Sequence, residues 1–196
     1  MSILTNQKFI DALKSVENSV RAGWDKKKSL WFPHKSPEGG NPTIAYGHKV
    51  LNVQEHEVFN KGITEEQALK LLASDMKTAY DNAQEDWDKW IQHNTTLLNN
   101  PLFEELTEKY QGVLVNIAYN TGSLKNRKGV YGWPNLSNLI IDAVKEAERD
   151  SRSEASAEAE RKVRQGMVTT YLNPKTGKRE RLTTRAYQIA DSLGIA

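Results

Sequence analysis

The sequence has no cysteine among its 196 residues, which excludes disulfides and thiolate metal sites. It also lacks any apolar run approaching the ~20 residues that a membrane-spanning helix needs. The opening residues MSILTNQKFIDALKSV do not combine a basic segment with an uninterrupted apolar one, as secretion signals do. We therefore expect a chain made in the cytoplasm, without stable membrane insertion, whose stability comes from packing.

Charge of one sign is also scarce, since the formal net charge is only +2. Residues 161–185 are the exception, with eight Lys or Arg against the single acid Glu180. No recognition-helix or single-strand-binding motif accompanies this basic stretch, so nucleic acid is not an expected partner. The four histidines show no paired ligand spacing, and we expect neither a metal nor a cofactor.

A hydrophobic content of 38% over this length predicts one domain with one main core. We expect an N-terminal lobe with a connecting helix over about 1–80 and a helical lobe over about 81–196. The interval from Gly23 to Val50 is rich in glycine, proline and aromatics, and TIAYGHKV is its only strand-like run. The expected fold class is α+β, with a small lobe containing a β-hairpin and a larger, mainly helical lobe.

Helix signals are clear in three places. Apolar residues recur at helical spacing from Phe9 to Val20, which puts Glu17 in the last turn of a short amphipathic helix. Thr64, with Gln67 three residues on, has the pattern of a capping box and predicts a helix start. An apolar helix is expected to end at Gly122 and a last helix to span about 183–193.

Four stretches, in this order along the chain, resemble the phage lysozymes of glycoside hydrolase family 24, which are related to the T-even endolysins. Glu17 followed by SPEGGNPTIAYGH resembles that family's catalytic glutamate, loop and strand. Three further matches are GITEEQALKLLASD, QGVLVNIAYNTG and RLTTRA. A single carboxylate among 25 acidic residues would be a weak signal, but the order of the four matches is specific.

The resemblance implies a lysozyme that cleaves the β-1,4 bond between N-acetylmuramic acid and N-acetylglucosamine in bacterial peptidoglycan. Glu17 falls on the catalytic glutamate, which protonates the leaving oxygen. Thr43 falls on the catalytic threonine, whose hydroxyl would help to hold the attacking water on the opposite face of the sugar. Tyr119 and Asn120 fall where the family lines its sugar cleft.

The sequence departs from the family at its catalytic aspartate. The interval of 26 residues from Glu17 to Thr43 (43 − 17) is longer than the family pattern and contains an insertion. Glu38, Asp25 and His34 are the candidates for the missing role. We favour Glu38, because a turn beside the strand of Thr43 can place a carboxylate across the cleft.

Two further contacts are implied by the resemblance. His48 and Asp75 fall on a structural ion pair of the family, which would raise the pKa of the histidine. Arg185 resembles an arginine that approaches the catalytic glutamate. A cation there would favour the ionised carboxylate, and an apolar cleft wall would favour the acid.

Two other functions remain open from the sequence. A lytic transglycosylase needs one acid and no water nucleophile, which the missing aspartate permits. A non-catalytic peptidoglycan-binding module of a virion could keep the fold without activity. As a lysozyme, the chain is expected to be monomeric and to reach the cell wall through a holin-type pore, or to travel with the virion.

Overall fold

The computed structural model describes residues 2–18, 20–35, 41–126, 128–168, 170–172 and 179–196. Within these ranges there are seven α-helices and six short strands. The helices are α1 (Gln7–Asn18), α2 (Val53–Phe59), α3 (Glu65–His93), α4 (Glu108–Thr121), α5 (Pro134–Asp150), α6 (Glu154–Gly166) and α7 (Thr183–Leu193). The strands are β1 (Trp24–Asp25), β2 (Leu30–Trp31), β3 (Thr43–Ile44), β4 (His48–Lys49), β5 (Thr170–Leu172) and β6 (Arg179–Arg181). The predicted α+β class is confirmed.

The strands form three antiparallel pairs, β1 with β2, β3 with β4 and β5 with β6. The predicted β-hairpin is confirmed, but TIAYGHKV is not the only strand-forming run between Gly23 and Val50. TIAYGHKV turns back on itself at Ala45 to Gly47, where both ends of the turn have positive φ angles. The preceding segment adds a second hairpin, in which Trp24 is opposite Trp31.

The helix α3 begins at the predicted capping box. The Thr64 hydroxyl accepts a hydrogen bond from the Gln67 amide at 3.2 Å, and the Gln67 side chain accepts one from the Thr64 amide at 2.8 Å. These bonds satisfy two amides that a helix start leaves without partners. The helix then runs to His93 without a break.

The core of the larger part of the molecule is built around α4, which is buried from Tyr110 to Ala118. Helix α3 packs on one side of it, and α7 contacts both α4 and α1. The last helix has the predicted bounds, Thr183 to Leu193. Its packing on α1 brings the two ends of the chain together, and this contact positions the site described next.

Candidate active site

The side chain of Glu17 projects from the last turn of α1, as the apolar spacing predicts. It is 15% exposed and lies against the turn between β3 and β4. A Cβ atom at Gly47 would lie 3.0 Å from Oε2 of Glu17, and Gly47 has a φ of +88°. Only glycine combines this conformation with such a close approach. The backbone of Gly47 is therefore one wall of the carboxylate's environment.

A second wall is the guanidinium of Arg185, which donates a hydrogen bond to Oε1 of Glu17. The arginine side chain is 16% exposed, so this ion pair is largely shielded from water. The contact joins the first and last helices. The predicted approach of Arg185 to Glu17 is confirmed, and the cation stabilises the carboxylate form of Glu17.

Thr43 is 9% exposed and lies on β3, in the hairpin whose turn contacts Glu17. Its register partner on β4 is Lys49. On the other side, its backbone pairs with His34, and its hydroxyl lies 3.4 Å from Nε2 of that histidine. The hydroxyl therefore has a titratable neighbour.

The predicted ion pair between His48 and Asp75 is confirmed. Nδ1 of His48 lies 2.9 Å and 3.1 Å from the two carboxylate oxygens of Asp75. The hydrogen bond to Asp75 raises the pKa of His48 above its ordinary value, although burial of the ring opposes this. The pair ties β4 to α3.

A cleft of about 250 Å³ opens between the β3–β4 hairpin and the helices α3 and α4. Gly47 and Tyr119 line it. Gly47 lies against the Glu17 carboxylate, and the charge of Glu17 acts on the Tyr119 hydroxyl. The other residues at its wall are His48, Lys49, Leu51, Asp75, Thr78, Ala79, Asn82, Ala118, Asn120, Thr121 and Gly122. Eight of the thirteen lining residues have polar or charged side chains, and the rest are glycine or apolar. Such a mixture of apolar surface and polar groups is typical of a ligand site.

Tyr119 contributes its ring to the cleft, but its hydroxyl is already engaged. It donates a hydrogen bond of 2.8 Å to the carbonyl of Tyr46, next to the Gly47 turn. Burial raises the pKa of Tyr119 well above its ordinary value, and the charges of Glu17 and Asp75 raise it further. The phenol therefore stays protonated and links α4 to the hairpin.

Asn120 lies at the exposed rim of the cleft. Its amide nitrogen donates a hydrogen bond of 2.6 Å to the carbonyl of Asn116, one turn earlier in α4. The structure thus brings Tyr119 and Asn120 to the same cleft, and their contact with a sugar stays a prediction.

The three candidates for the second catalytic group differ in what the structure shows of them. Glu38 lies outside the described residues. Asp25 is committed to the turn of the first hairpin, where Oδ1 accepts hydrogen bonds from the amides of Lys27 and Lys28 at 2.9 and 3.1 Å. His34 is the candidate found in contact with Thr43.

A cluster of charged and aromatic side chains anchors the first hairpin, and the part that Arg21 and Glu65 have in it was not predicted. The guanidinium of Arg21 packs over the rings of Trp24 and Trp31, at 4.4 and 4.6 Å from their centroids. Glu65 accepts hydrogen bonds from Trp31 at 2.8 Å and from Arg21 at 3.1 Å. Tyr46 also donates to Glu65, and burial together with this contact raises its pKa to about 12.

Neither a metal centre nor a membrane span is found in the part of the chain that the structure describes. No three His, Asp or Glu side chains of these residues are arranged to hold a metal ion. No described helix combines the length and apolarity needed to cross a bilayer.

The small hairpin, the long helix α3 and the cleft beside a shielded glutamate define a lysozyme-like α+β protein. The family model described as phage lysozyme matches residues 32–169. This segment is more than half of the chain, which therefore belongs to the phage lysozyme family and is in general terms a peptidoglycan hydrolase. No curated protein matches the chain, and no solved structure does.

The matched segment begins after α1 and ends before α7. Thr43, Tyr119 and Asn120 lie inside it, whereas Glu17 and Arg185 lie outside. The assignment of Glu17 therefore depends on its position beside Gly47 and the cleft.

Proposed function

We propose that the chain is a muramidase that hydrolyses the β-1,4 bond between N-acetylmuramic acid and N-acetylglucosamine, with Glu17 as its general acid. The observation that carries this proposal is the place of the Glu17 carboxylate. It lies against the Gly47 turn and pairs with Arg185, and Gly47 and Tyr119 line the adjacent cleft. Protonation of a glycosidic oxygen requires a carboxyl group within reach of the bound sugar.

The ion pair with Arg185 favours the carboxylate form of Glu17, yet the reaction needs the acid form. A sugar that enters the cleft displaces water from around the pair, and desolvation favours the neutral form of a carboxyl group. In this proposal, Glu17 takes up its proton as substrate binds, and Arg185 stabilises the carboxylate left after the proton has been transferred.

Thr43 is the proposed anchor of the attacking water, because its hydroxyl is on the hairpin that contacts Glu17. Attack from the face opposite to Glu17 would invert the anomeric centre. Tyr119 and Asn120 are proposed to contact the sugar from the α4 side of the cleft. The proposed place of action is the cell wall of a bacterial host, with synthesis in its cytoplasm.

The test is digestion of purified peptidoglycan followed by mass spectrometry of the released fragments. We expect reducing-end sugars from the wild type, and a rate reduced at least about 100-fold for Glu17→Gln, because a general acid contributes roughly 10²- to 10⁴-fold. Asp11→Asn is the matched control, since Asp11 is an exposed carboxylate on the same helix. It is expected to keep the wild-type rate.

Other outcomes would select another function. Release of 1,6-anhydro sugars by the wild type would identify a lytic transglycosylase. Sedimentation of the wild type with peptidoglycan, without any released sugar, would identify a wall-binding module. Full activity of Glu17→Gln would show that another group is the acid.

A further inference from the structure

The contact between His34 and Thr43 is fixed by the backbone. The His34 amide donates to the Thr43 carbonyl at 2.8 Å, and the Thr43 amide donates to the His34 carbonyl at 2.9 Å. Residues that exchange both hydrogen bonds in an antiparallel bridge have their side chains on the same face. The 3.4 Å approach of Nε2 to the Thr43 hydroxyl is therefore a consequence of this register.

The far side of the imidazole ring is also confined. A Cβ atom at Gly23 would lie 2.8 Å from Nδ1 of His34, so the absence of a side chain at position 23 makes room for the ring. Nδ1 is buried and forms no hydrogen bond of regular geometry with the described residues. The ring is thus wedged between Gly23 and Thr43 and has little freedom to move away from the hydroxyl.

This environment favours a neutral ring. Burial lowers the pKa of His34 below its ordinary value, and the backbone carbonyl of Phe32 opposes this effect only in part. A neutral imidazole carries one ring proton, and in one of its two tautomers that proton is on Nδ1. In that tautomer, Nε2 has a free electron pair and accepts a hydrogen bond from the Thr43 hydroxyl.

We propose that His34 is the base of the hydrolysis and takes a proton from the attacking water through the hydroxyl of Thr43. This inference rests on the proposed muramidase function. As the water oxygen bonds to the anomeric carbon, the water gives a proton to Oγ1 of Thr43, and Thr43 gives its own proton to Nε2 of His34. The bond from the anomeric carbon to the glycosidic oxygen breaks, and that oxygen takes the proton of Glu17. Solvent then returns one proton from His34 to Glu17.

The proposal explains the departure from the family pattern. In this chain, His34 takes the role that the aspartate has in the family, and the buried Thr43 lies between His34 and the attacking water. Apo enzymes often show long catalytic hydrogen bonds that shorten when substrate binds, and the 3.4 Å contact is of this kind. Asp25 instead uses Oδ1 of its carboxylate to cap its own turn.

The test compares kcat and KM for His34→Gln, Thr43→Val and the double variant on soluble peptidoglycan fragments. Glutamine keeps an acceptor but cannot take up a proton, so we expect kcat to fall roughly 10²- to 10⁴-fold with KM nearly unchanged. Because the two residues act in one relay, the double variant is expected to lose no more than Thr43→Val alone. Thr43→Ser, which keeps the hydroxyl, should recover most of the loss of Thr43→Val.

Two further variants distinguish a loss of the base from a loss of the fold. His34→Gly leaves a space for added imidazole, which should restore part of kcat in a saturable way if the ring acts as a base. His56→Gln is the matched histidine control on α2, away from Thr43, and should match the wild type. Thermal unfolding midpoints identify any variant that has lost its fold.

Several results would overturn the inference. Near wild-type kcat in His34→Gln would exclude His34 as the base, as would losses in the two single variants that multiply in the double variant. A loss in Glu38→Gln that exceeds that of His34→Gln would transfer the role to Glu38. An inactive wild type would instead refute the muramidase function itself, so the two failures are distinguishable.

Discussion

The two hairpins between α1 and α2 have the same secondary structure and different tasks. Each is an antiparallel pair of two-residue strands. In the first, Trp31 is fully buried and both tryptophans pack against Arg21. In the second, Thr43 contacts His34 and Gly47 lies against the Glu17 carboxylate. The first hairpin has the contacts of a scaffold, and the second is the one that we propose takes part in the reaction.

The difference lies in the contacts of each hairpin, because strand length and pairing are the same. Glu65 at the start of α3 uses its carboxylate oxygens on Trp31, Tyr46 and Arg21. Burial acts to raise the pKa of Glu65, but these donors and the cation together lower it. A satisfied carboxylate of this kind stabilises the structure and has no proton to offer.

The largest expected effect would test the scaffold. Trp31→Ala should lower the free energy of unfolding by about 3–5 kcal/mol, because it removes a fully buried indole and its hydrogen bond to Glu65. Urea unfolding measures this loss, and Trp24→Ala, at a partly exposed ring, should cost less. Wild-type activity per folded molecule is expected. If Trp31→Ala were fully folded and still lost activity, the first hairpin would take part in the reaction.

The next effect would test the second hairpin. Gly47→Ala should reduce kcat about 100-fold, because its Cβ would displace the Glu17 carboxylate and small misplacements of catalytic groups are costly. Gly194→Ala is the matched control, since Gly194 also has a positive φ of +69° but no described atom lies within 4 Å of the added Cβ. Both variants carry the backbone strain, and only the first should lose activity. Equal losses would mean that strain alone is responsible.

The smallest effect would test how the second hairpin is held to α3. Asp75→Asn should destabilise the protein by about 2 kcal/mol at pH 5, the usual scale of a hydrogen bond to a charged group. The folded pKa of His48 is raised, so this stabilisation is complete below the ordinary histidine pKa of about 6.5. It is lost as pH rises through the folded pKa.

The free energies of unfolding of the wild type and Asp75→Asn should therefore converge as pH rises, which unfolding measurements across pH 5–9 would show. Asp81→Asn is the control on the same helix, because the ion pair of Asp81 with Lys77 is more than half exposed on both sides. Exposed pairs contribute about 0–1 kcal/mol. A constant difference for Asp75→Asn across pH would exclude the charge of His48 as its source.

Local signals in the sequence were sufficient for much of the fold. The capping box at Thr64 and the bounds of α7 follow from side chains that act on their own backbone, so they can be predicted without tertiary information. The pair of His48 with Asp75 and that of Glu17 with Arg185 could be predicted only through the family resemblance. Their partners are 27 and 168 residues apart, beyond the reach of any local pattern.

The remainder depended on contacts that no local rule encodes. Arg21 and Glu65 are ordinary charged residues in the sequence, and their packing on two tryptophans appears only when the first hairpin is folded. Gly23 resembles any loop glycine until His34 is seen beside it. Glu38 stays a prediction from the sequence, because it lies outside the described residues.

The ion pair between Glu17 and Arg185 also sets an order of events during synthesis. At about 5–20 residues per second on the ribosome, the arginine follows the glutamate, 168 positions earlier, by roughly 10–30 seconds. Until then the carboxylate has neither this guanidinium nor the packing of α7 on α1. A chain that ends before residue 185 therefore lacks the guanidinium that contacts the proposed acid, Glu17.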